Sequence, residues 1–377
     1  MLLVICLILP GRLPVAAETV RADGAPTPDC KSAILMEAST GMILMEQNAD
    51  EPLPPASVTK VMTLLLVMEA IEGGRLRYED MVTASAHACS MGGSQIYLKE
   101  GEQMTAEDMI KSVVIASAND AAVALAEHLA GSEEAFVEQM NRRARELGMV
   151  NTNFENTNGL DDTATNHVTS ARDIALMSRE LIRHKKITEY SSIWMDTVRN
   201  GSFGLTNTNR LVRFYRGATG LKTGSTSKAG FCVSATAERD GMTLICVIMG
   251  APSRDIRNGA ATALLDYGFA NYTVYAQEGK ELEPLSVLGG LREVCGASFP
   301  HFETVIKKGD GKRVEYVVDL PETLTAPIAK GEKIGSVEYR LDGKVIGSVE
   351  ITATESVPKI RFVDVLLQLL KNLVGFS

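Results

Sequence analysis

Apolar residues recur with different periods along this chain, and the changes of period divide it. The runs Ala33-Ile34-Leu35-Met36-Glu37 and Met42-Ile43-Leu44-Met45-Glu46 flank Ala38-Ser39-Thr40-Gly41 and predict two short strands joined by a turn at Gly41. Pro54 and Pro55 mark a further turn, and Val61 to Glu72 is apolar enough for a core helix that Gly73-Gly74 would stop. After a mixed stretch with a loop at Met91-Gly92-Gly93-Ser94, Thr105 caps a helix to about Ala116, with Asp108 at its third position. A polar break, Ser117-Ala118-Asn119, separates it from a helical run over Asp120 to Leu129. A helix from Ser132 to Leu147 ends at Gly148. Next comes a long loop, Asn151 to Thr165, rich in Asn, Thr, Asp and Gly and carrying Asn158-Gly159-Leu160-Asp161. Ser170, with Asp173 three residues on, opens a helix to about His184.

The period then returns to two. Gly220-Leu221-Lys222-Thr223-Gly224 reads as strand, and Phe231 to Glu238 and Met242 to Met249 flank Arg239-Asp240-Gly241 as a hairpin. A helix over Arg257 to Gly268 would close against that sheet. Strands at both ends of a helical middle predict an α+β domain over residues 30–275. Beyond Tyr275 helical periodicity disappears. Val314 to Val318, and Lys333 to Tyr339 paired with Val345 to Thr352 across Asp342-Gly343, predict a small all-β domain over 276–356 that serves as a spacer or docking module. Residues 358–377 place Arg361, Asp364, Gln368 and Lys371 on one stripe of an otherwise apolar helix. The charges interrupt it too often for a membrane span, so it reads as an interfacial amphipathic helix, or as one packed on its own β domain or a partner.

Composition narrows the function classes. An apolar fraction of 45% and a charged fraction of 23% over 377 residues are those of a soluble globular chain long enough for two domains. The formal net charge of -9, with no basic run, argues against a nucleic-acid partner. Residues 1–17 resemble an export signal, with an apolar core from Leu2 to Leu9 and small residues at Val15-Ala16-Ala17; no Lys or Arg precedes the core, and a buried first helix is the alternative. Cys6 would leave with it. The remaining Cys30, Cys89, Cys232, Cys246 and Cys295 are an odd, scattered set, a poor disulfide framework, and the five histidines share no metal-ligand spacing. No metal and no cofactor is expected.

Chemistry enters with Ser57-Val58-Thr59-Lys60, at the start of the first core helix. Residues three apart share a helical face, so the Ser57 hydroxyl and the Lys60 amine can meet as nucleophile and base. Alone the pattern is cheap: a capped core helix can contain it, and a second copy, Ser225-Thr226-Ser227-Lys228, reads as loop and strand entry. Two further patterns follow in order, Ser117-x-Asn119 at a helix break and Lys222-Thr223-Gly224 on a strand.

This ordered set, with Asn158-Gly159-Leu160-Asp161, Gly220 to Gly230, the β domain and the amphipathic tail, resembles the serine D-alanyl-D-alanine carboxypeptidases among the low-molecular-mass penicillin-binding proteins. Ala118 stands where many relatives carry glycine or aspartate. The resemblance implies a β-lactamase/transpeptidase-like catalytic domain, an antiparallel sheet plus a helical region. It implies Ser57 as acyl-ester nucleophile, Lys60 as general base, Ser117 in proton transfer, and Asn119 binding the substrate amide and steadying Lys60. Lys222, Thr223 and Arg257 would hold the terminal carboxylate, the backbone of Ser57 and Ser225 the oxyanion, and Gly224 would let the substrate backbone approach. The implied partners are the peptidoglycan pentapeptide, β-lactams as covalent inhibitors, and the outer face of the cytoplasmic membrane through the C-terminal helix of an exported protein. Two rivals share the scaffold: a serine β-lactamase, with Glu155 as a candidate deacylation base, and a non-catalytic penicillin-sensing or wall-binding module.

Overall fold

The computed structural model describes residues 24–162 and 164–374; the expected export signal, residues 1–17, lies outside them. Two compact units divide between Phe269 and Ala270.

The first unit is built on a five-stranded antiparallel sheet. Its order is Ile43–Gln47, Ser32–Glu37, Met242–Ala251, Gly230–Arg239 and Ala218–Thr226. The Ser32–Glu37 and Met242–Ala251 strands lie inside the sheet, and their near-continuous apolar sequence matches burial on both faces. The Ala218–Thr226 strand, by contrast, is an edge with one side open.

The Lys60–Glu72 helix is the core of the helical region, with ten of its side chains buried, and it packs against the Ala171–Leu181 and Asn119–Ala130 helices. Local chemistry sets the ends of its neighbours. Thr105 Oγ1 accepts from Asp108 N–H at 3.2 Å, Ser132 Oγ from Ala135 N–H at 3.2 Å, and Ser170 Oγ from Asp173 N–H at 3.1 Å. The expected break is Ala116-Ser117-Ala118, with Ser117 at φ 64°, between the Ala106–Ile115 and Asn119–Ala130 helices, so that Asn119 opens the second helix. The last helix is longer than its sequence predicts, Arg254–Asn271 rather than Arg257 to Gly268. Short hairpins at Met81–Thr83 with Gln103–Thr105 and at Met195–Val198 with Phe203–Thr206 carry no alternation long enough to read from sequence.

In the second unit a six-stranded sheet runs in the order Val314–Asp319, Lys333–Leu341, Lys344–Ala353, Val294–Phe299, Lys280–Leu288 and Thr323–Thr325, beside a two-stranded ribbon of Tyr272–Gln277 and Phe302–Lys307. Phe302 stacks on the buried Tyr339 ring at 3.9 Å between centroids, over Gly347, where a Cβ would lie 2.5 Å from the Phe302 ring. A helix spans Phe362–Val374. Among the described residues no helix is long and apolar enough to cross a membrane.

Candidate active site

Ala56–Thr59 forms one 3-10 turn that runs into the Lys60–Glu72 helix. Lys60 Nζ donates to Ser57 Oγ at 2.9 Å and to the Asn158 carbonyl at 2.7 Å, as the three-residue spacing requires. No part of Lys60 is exposed. Burial first, and the nearby Lys222 ammonium second, hold its pKa well below the ordinary lysine value, while Asp120 opposes the shift. In its neutral form the amine has a lone pair that can accept the Ser57 proton across this 2.9 Å contact.

A second pair mirrors the first. Lys222 Nζ donates to Ser117 Oγ at 2.9 Å and to the Thr223 carbonyl at 2.9 Å. Burial, then the charge of Arg257, pushes Lys222 down to about 7. The left-handed backbone at Ser117 turns its hydroxyl away from the helix axis toward the edge strand.

Asn119 behaves differently from the expectation. Its Nδ2 donates to the Gly92 carbonyl at 2.7 Å, its backbone N–H donates to the Ser94 carbonyl at 2.7 Å, and its buried Oδ1 has no partner. The group that holds Lys60 beside Ser57 is the Asn158 carbonyl. Asp120, next in sequence, accepts from the backbone N–H groups of Ile96, Leu98 and Ala121, which ties the loop before Leu98 to the helix start.

The edge strand closes the other side. A Cβ on Gly224 would lie 2.7 Å from Ser57 N, 2.9 Å from Pro55 O and 2.9 Å from Val58 N. The close approach that demands glycine is therefore to the nucleophile's own turn, and not only to a bound backbone. Gly159 is needed for a similar reason: at φ +83° its Cβ would fall on the Ala56 carbonyl, so the loop holding Lys60 is pressed under the Ser57 turn. Ser57 N–H lies in a first helical turn, where backbone donors lack intrahelical acceptors. Ser225 is the penultimate residue of the Ala218–Thr226 edge strand, paired with Phe231, in strand rather than in the loop its sequence predicts.

A cleft of about 190 Å³ joins these groups, lined by Ser57, Ser117, Thr223, Gly224 and Ser225 together with Ser94, Thr208, Phe231, Arg254 and Arg257. Every charged residue in that lining is cationic. Thr208 extends the Thr223 hydroxyl, accepting from it at 2.8 Å. Arg257 is 3% exposed rather than a surface helix residue; its Nη1 donates to the Cys232 carbonyl at 3.3 Å and its Nε and Nη2 to Asn258 Oδ1 at 3.1 and 2.9 Å. Glu155 is committed elsewhere: its carboxylate accepts from Asn166 N–H, Thr165 N–H and Thr165 Oγ1, which lower its pKa. Among the described residues no three His, Cys, Asp or Glu side chains form a metal-binding group, and Cys30, Cys89, Cys232, Cys246 and Cys295 are unpaired.

Sequence gives no role to Asp120, Thr208 or Ser94. Asn158 falls in the Asn158-Gly159-Leu160-Asp161 motif, but it contributes through its carbonyl, which carries no side-chain signature. Asp120 adjoins Asn119 and a first-turn acid was its only signal.

The whole chain has relatives of this construction. A family profile described as D-alanyl-D-alanine carboxypeptidase matches residues 19–253, and one described as the C-terminal domain of penicillin-binding protein 5 matches residues 269–359. The D-alanyl-D-alanine carboxypeptidase DacF of Bacillus subtilis is 39% identical over 356 residues, covering 93% of this chain and 91% of its own. DacA of Escherichia coli is 33% identical over 362 residues, covering 92% and 88%. The crystal structure of penicillin-binding protein 5 from Haemophilus influenzae superposes with a TM-score of 0.81 at 34% identity over 89% of this chain and 99% of that one. Penicillin-binding protein D2 of Listeria monocytogenes, in its ampicillin-bound form, gives 0.60 at 32% over 65% and 100%. With both units matched in order and nearly end to end, the chain belongs to the D-alanyl-D-alanine carboxypeptidase family of serine peptidases.

Proposed function

We propose that this protein removes the terminal D-alanine from peptidoglycan pentapeptide stems through an acyl-enzyme on Ser57, and that β-lactams acylate the same oxygen. One observation carries the reading: the Ser57 hydroxyl is bonded at 2.9 Å to a fully buried lysine whose charged form is disfavoured. A hydroxyl attacks an amide carbonyl only when its proton is removed, and a positioned amine base is worth about 10²- to 10⁴-fold.

In this mechanism Lys60 takes the Ser57 proton as Oγ attacks the carbonyl of the D-Ala-D-Ala bond. The oxyanion forms against the N–H groups of Ser57 and Ser225, each donor worth roughly 10²- to 10³-fold. Ser117, hydrogen-bonded to Lys222, delivers its proton to the departing nitrogen and regains one from the protonated Lys60, so that D-alanine leaves and Lys60 is neutral again. Water then attacks the ester as Lys60 takes its proton and passes it to Ser57 Oγ, and the tetrapeptide departs. Asn119 serves the substrate amide, while Thr223, Lys222 and Arg257 present hydroxyl and positive charge to the terminal carboxylate. The catalytic domain would span 30–275 and the β domain 276–356. Residues 1–17 would export the chain, and the helix of 358–377 would hold it on the outer face of the cytoplasmic membrane.

Purified protein is expected to release D-alanine from a pentapeptide and to be labelled by a fluorescent penicillin, with Ser57→Ala abolishing both. Rapid turnover of the penicilloyl-enzyme would favour a β-lactamase, and pentapeptide binding without release a wall-binding module. Labelling intact cells with and without residues 359–377 tests export and anchoring.

A further inference from the structure

Beside the cleft, in the first unit, the loop Asn207–Asn209 leads from Thr208 on the cleft wall into the short Leu211–Phe214 helix. That loop is tied to Trp194, whose carbonyl accepts from Asn207 N–H at 2.9 Å. The Arg213 guanidinium is stacked against two rings, 5.4 Å from the Trp194 centroid and 5.5 Å from Phe214, and Arg210 lies 5.4 Å from Phe214. The two rings pack edge to face at 6.3 Å, and Phe214 is 65% exposed. Among the described residues neither arginine has an ion pair or a side-chain hydrogen-bond acceptor.

Aromatic faces fix the plane of a guanidinium but use none of its N–H donors. The result is a planar fork, held in place, with its whole donor edge open to an anion. Such a fork suits a carboxylate in bidentate geometry.

We propose that Arg213, with Arg210, is a carboxylate-binding site for a neighbouring stem peptide of the same peptidoglycan strand whose scissile stem occupies the Ser57 cleft. The proposal rests on the carboxypeptidase reading. A polymer with repeated stems presents a second carboxylate near the first, and occupying both sites makes the second contact intramolecular, which raises affinity for polymer without touching the chemistry. Phe214 and Trp194 hold the orientation of the fork and offer apolar faces to the rest of the strand.

The test compares soluble pentapeptide with insoluble peptidoglycan stripped of phosphate-bearing polymers, using wild type, Arg213→Gln, and Arg210→Gln with Arg213→Gln. For the soluble peptide, kcat and KM are expected to stay within about twofold of wild type. On the polymer the apparent KM should rise about tenfold, the worth of a lost charge-assisted contact. Sedimentation with the polymer, read on the Ser57→Ala protein, should weaken by the same factor, and should also weaken when the polymer's carboxyls are capped as amides. Equal KM for polymer in wild type and variants would overturn the proposal, as would binding that survives carboxyl capping but is lost on removing phosphate polymers. If neither substrate releases D-alanine while sedimentation still depends on Arg213, the carboxypeptidase reading fails and the site stands.

Discussion

Replacing Gly224 by alanine isolates one contact in the site. Its backbone is not in the left-handed region, so alanine is conformationally allowed and the only obstacle is space. The new Cβ would meet Ser57 N at 2.7 Å and Pro55 O and Val58 N at 2.9 Å, all backbone atoms that no side-chain rotation can move. Reaching the shortest ordinary van der Waals distance, about 3.4 Å, requires the edge strand and the Ser57 turn to part by roughly 0.7 Å. The strand is paired on one side only and yields outward, so the fold survives at a strain of about 1–3 kcal/mol. Lys222, two residues away, shifts with it and loosens its 2.9 Å bond to Ser117. Since a misplacement on the order of 1 Å costs about 10²-fold, kcat/KM for D-alanine release should fall about 10- to 100-fold. Stopped-flow acylation by a fluorescent penicillin should slow by the same factor, with the melting temperature as control for folding. Acylation within twofold of wild type, in a protein that melts normally, would refute the reasoning that this strand is wedged against the nucleophile.

Three other substitutions probe separate features. Lys222, at about 7 through burial and the charge of Arg257, is cationic below that pH and neutral above it. The KM for a carboxylate substrate should therefore climb as pH rises through about 7 in wild type, and a pH series on Lys222→Gln should be flat. Asp120→Asn removes a charge that accepts three backbone N–H groups and that raises the Lys60 pKa. It should cost about 1–3 kcal/mol in a denaturant titration while moving the acid limb of the acylation profile to lower pH. Tyr339→Phe deletes a buried hydroxyl without a hydrogen-bond partner and keeps the stack on Phe302, so thermal melting should show the β unit unchanged or stabilised by up to about 1 kcal/mol.

Much of this protein follows from local sequence. The Gly41 hairpin, the Thr105, Ser132 and Ser170 helix starts, and the Asp342-Gly343 hairpin each depend on residues within a few positions of one another, so period and capping chemistry suffice to find them. The Ser57–Lys60 bond is of the same kind, because a helix brings residues three apart together wherever it lies. What tertiary structure alone decides is the state of those groups. Lys60 is a poor base until burial and Lys222, 162 positions along the chain, disfavour its charge, and it points at Ser57 because a carbonyl of the Asn158 loop holds it. Sequence says nothing about which backbone oxygen will face which ammonium, nor that Gly224 is spent against Pro55, Ser57 and Val58. Such contacts join segments far apart in the chain through atoms every residue possesses. Their specificity lies in position, which only the folded sheet and helices supply.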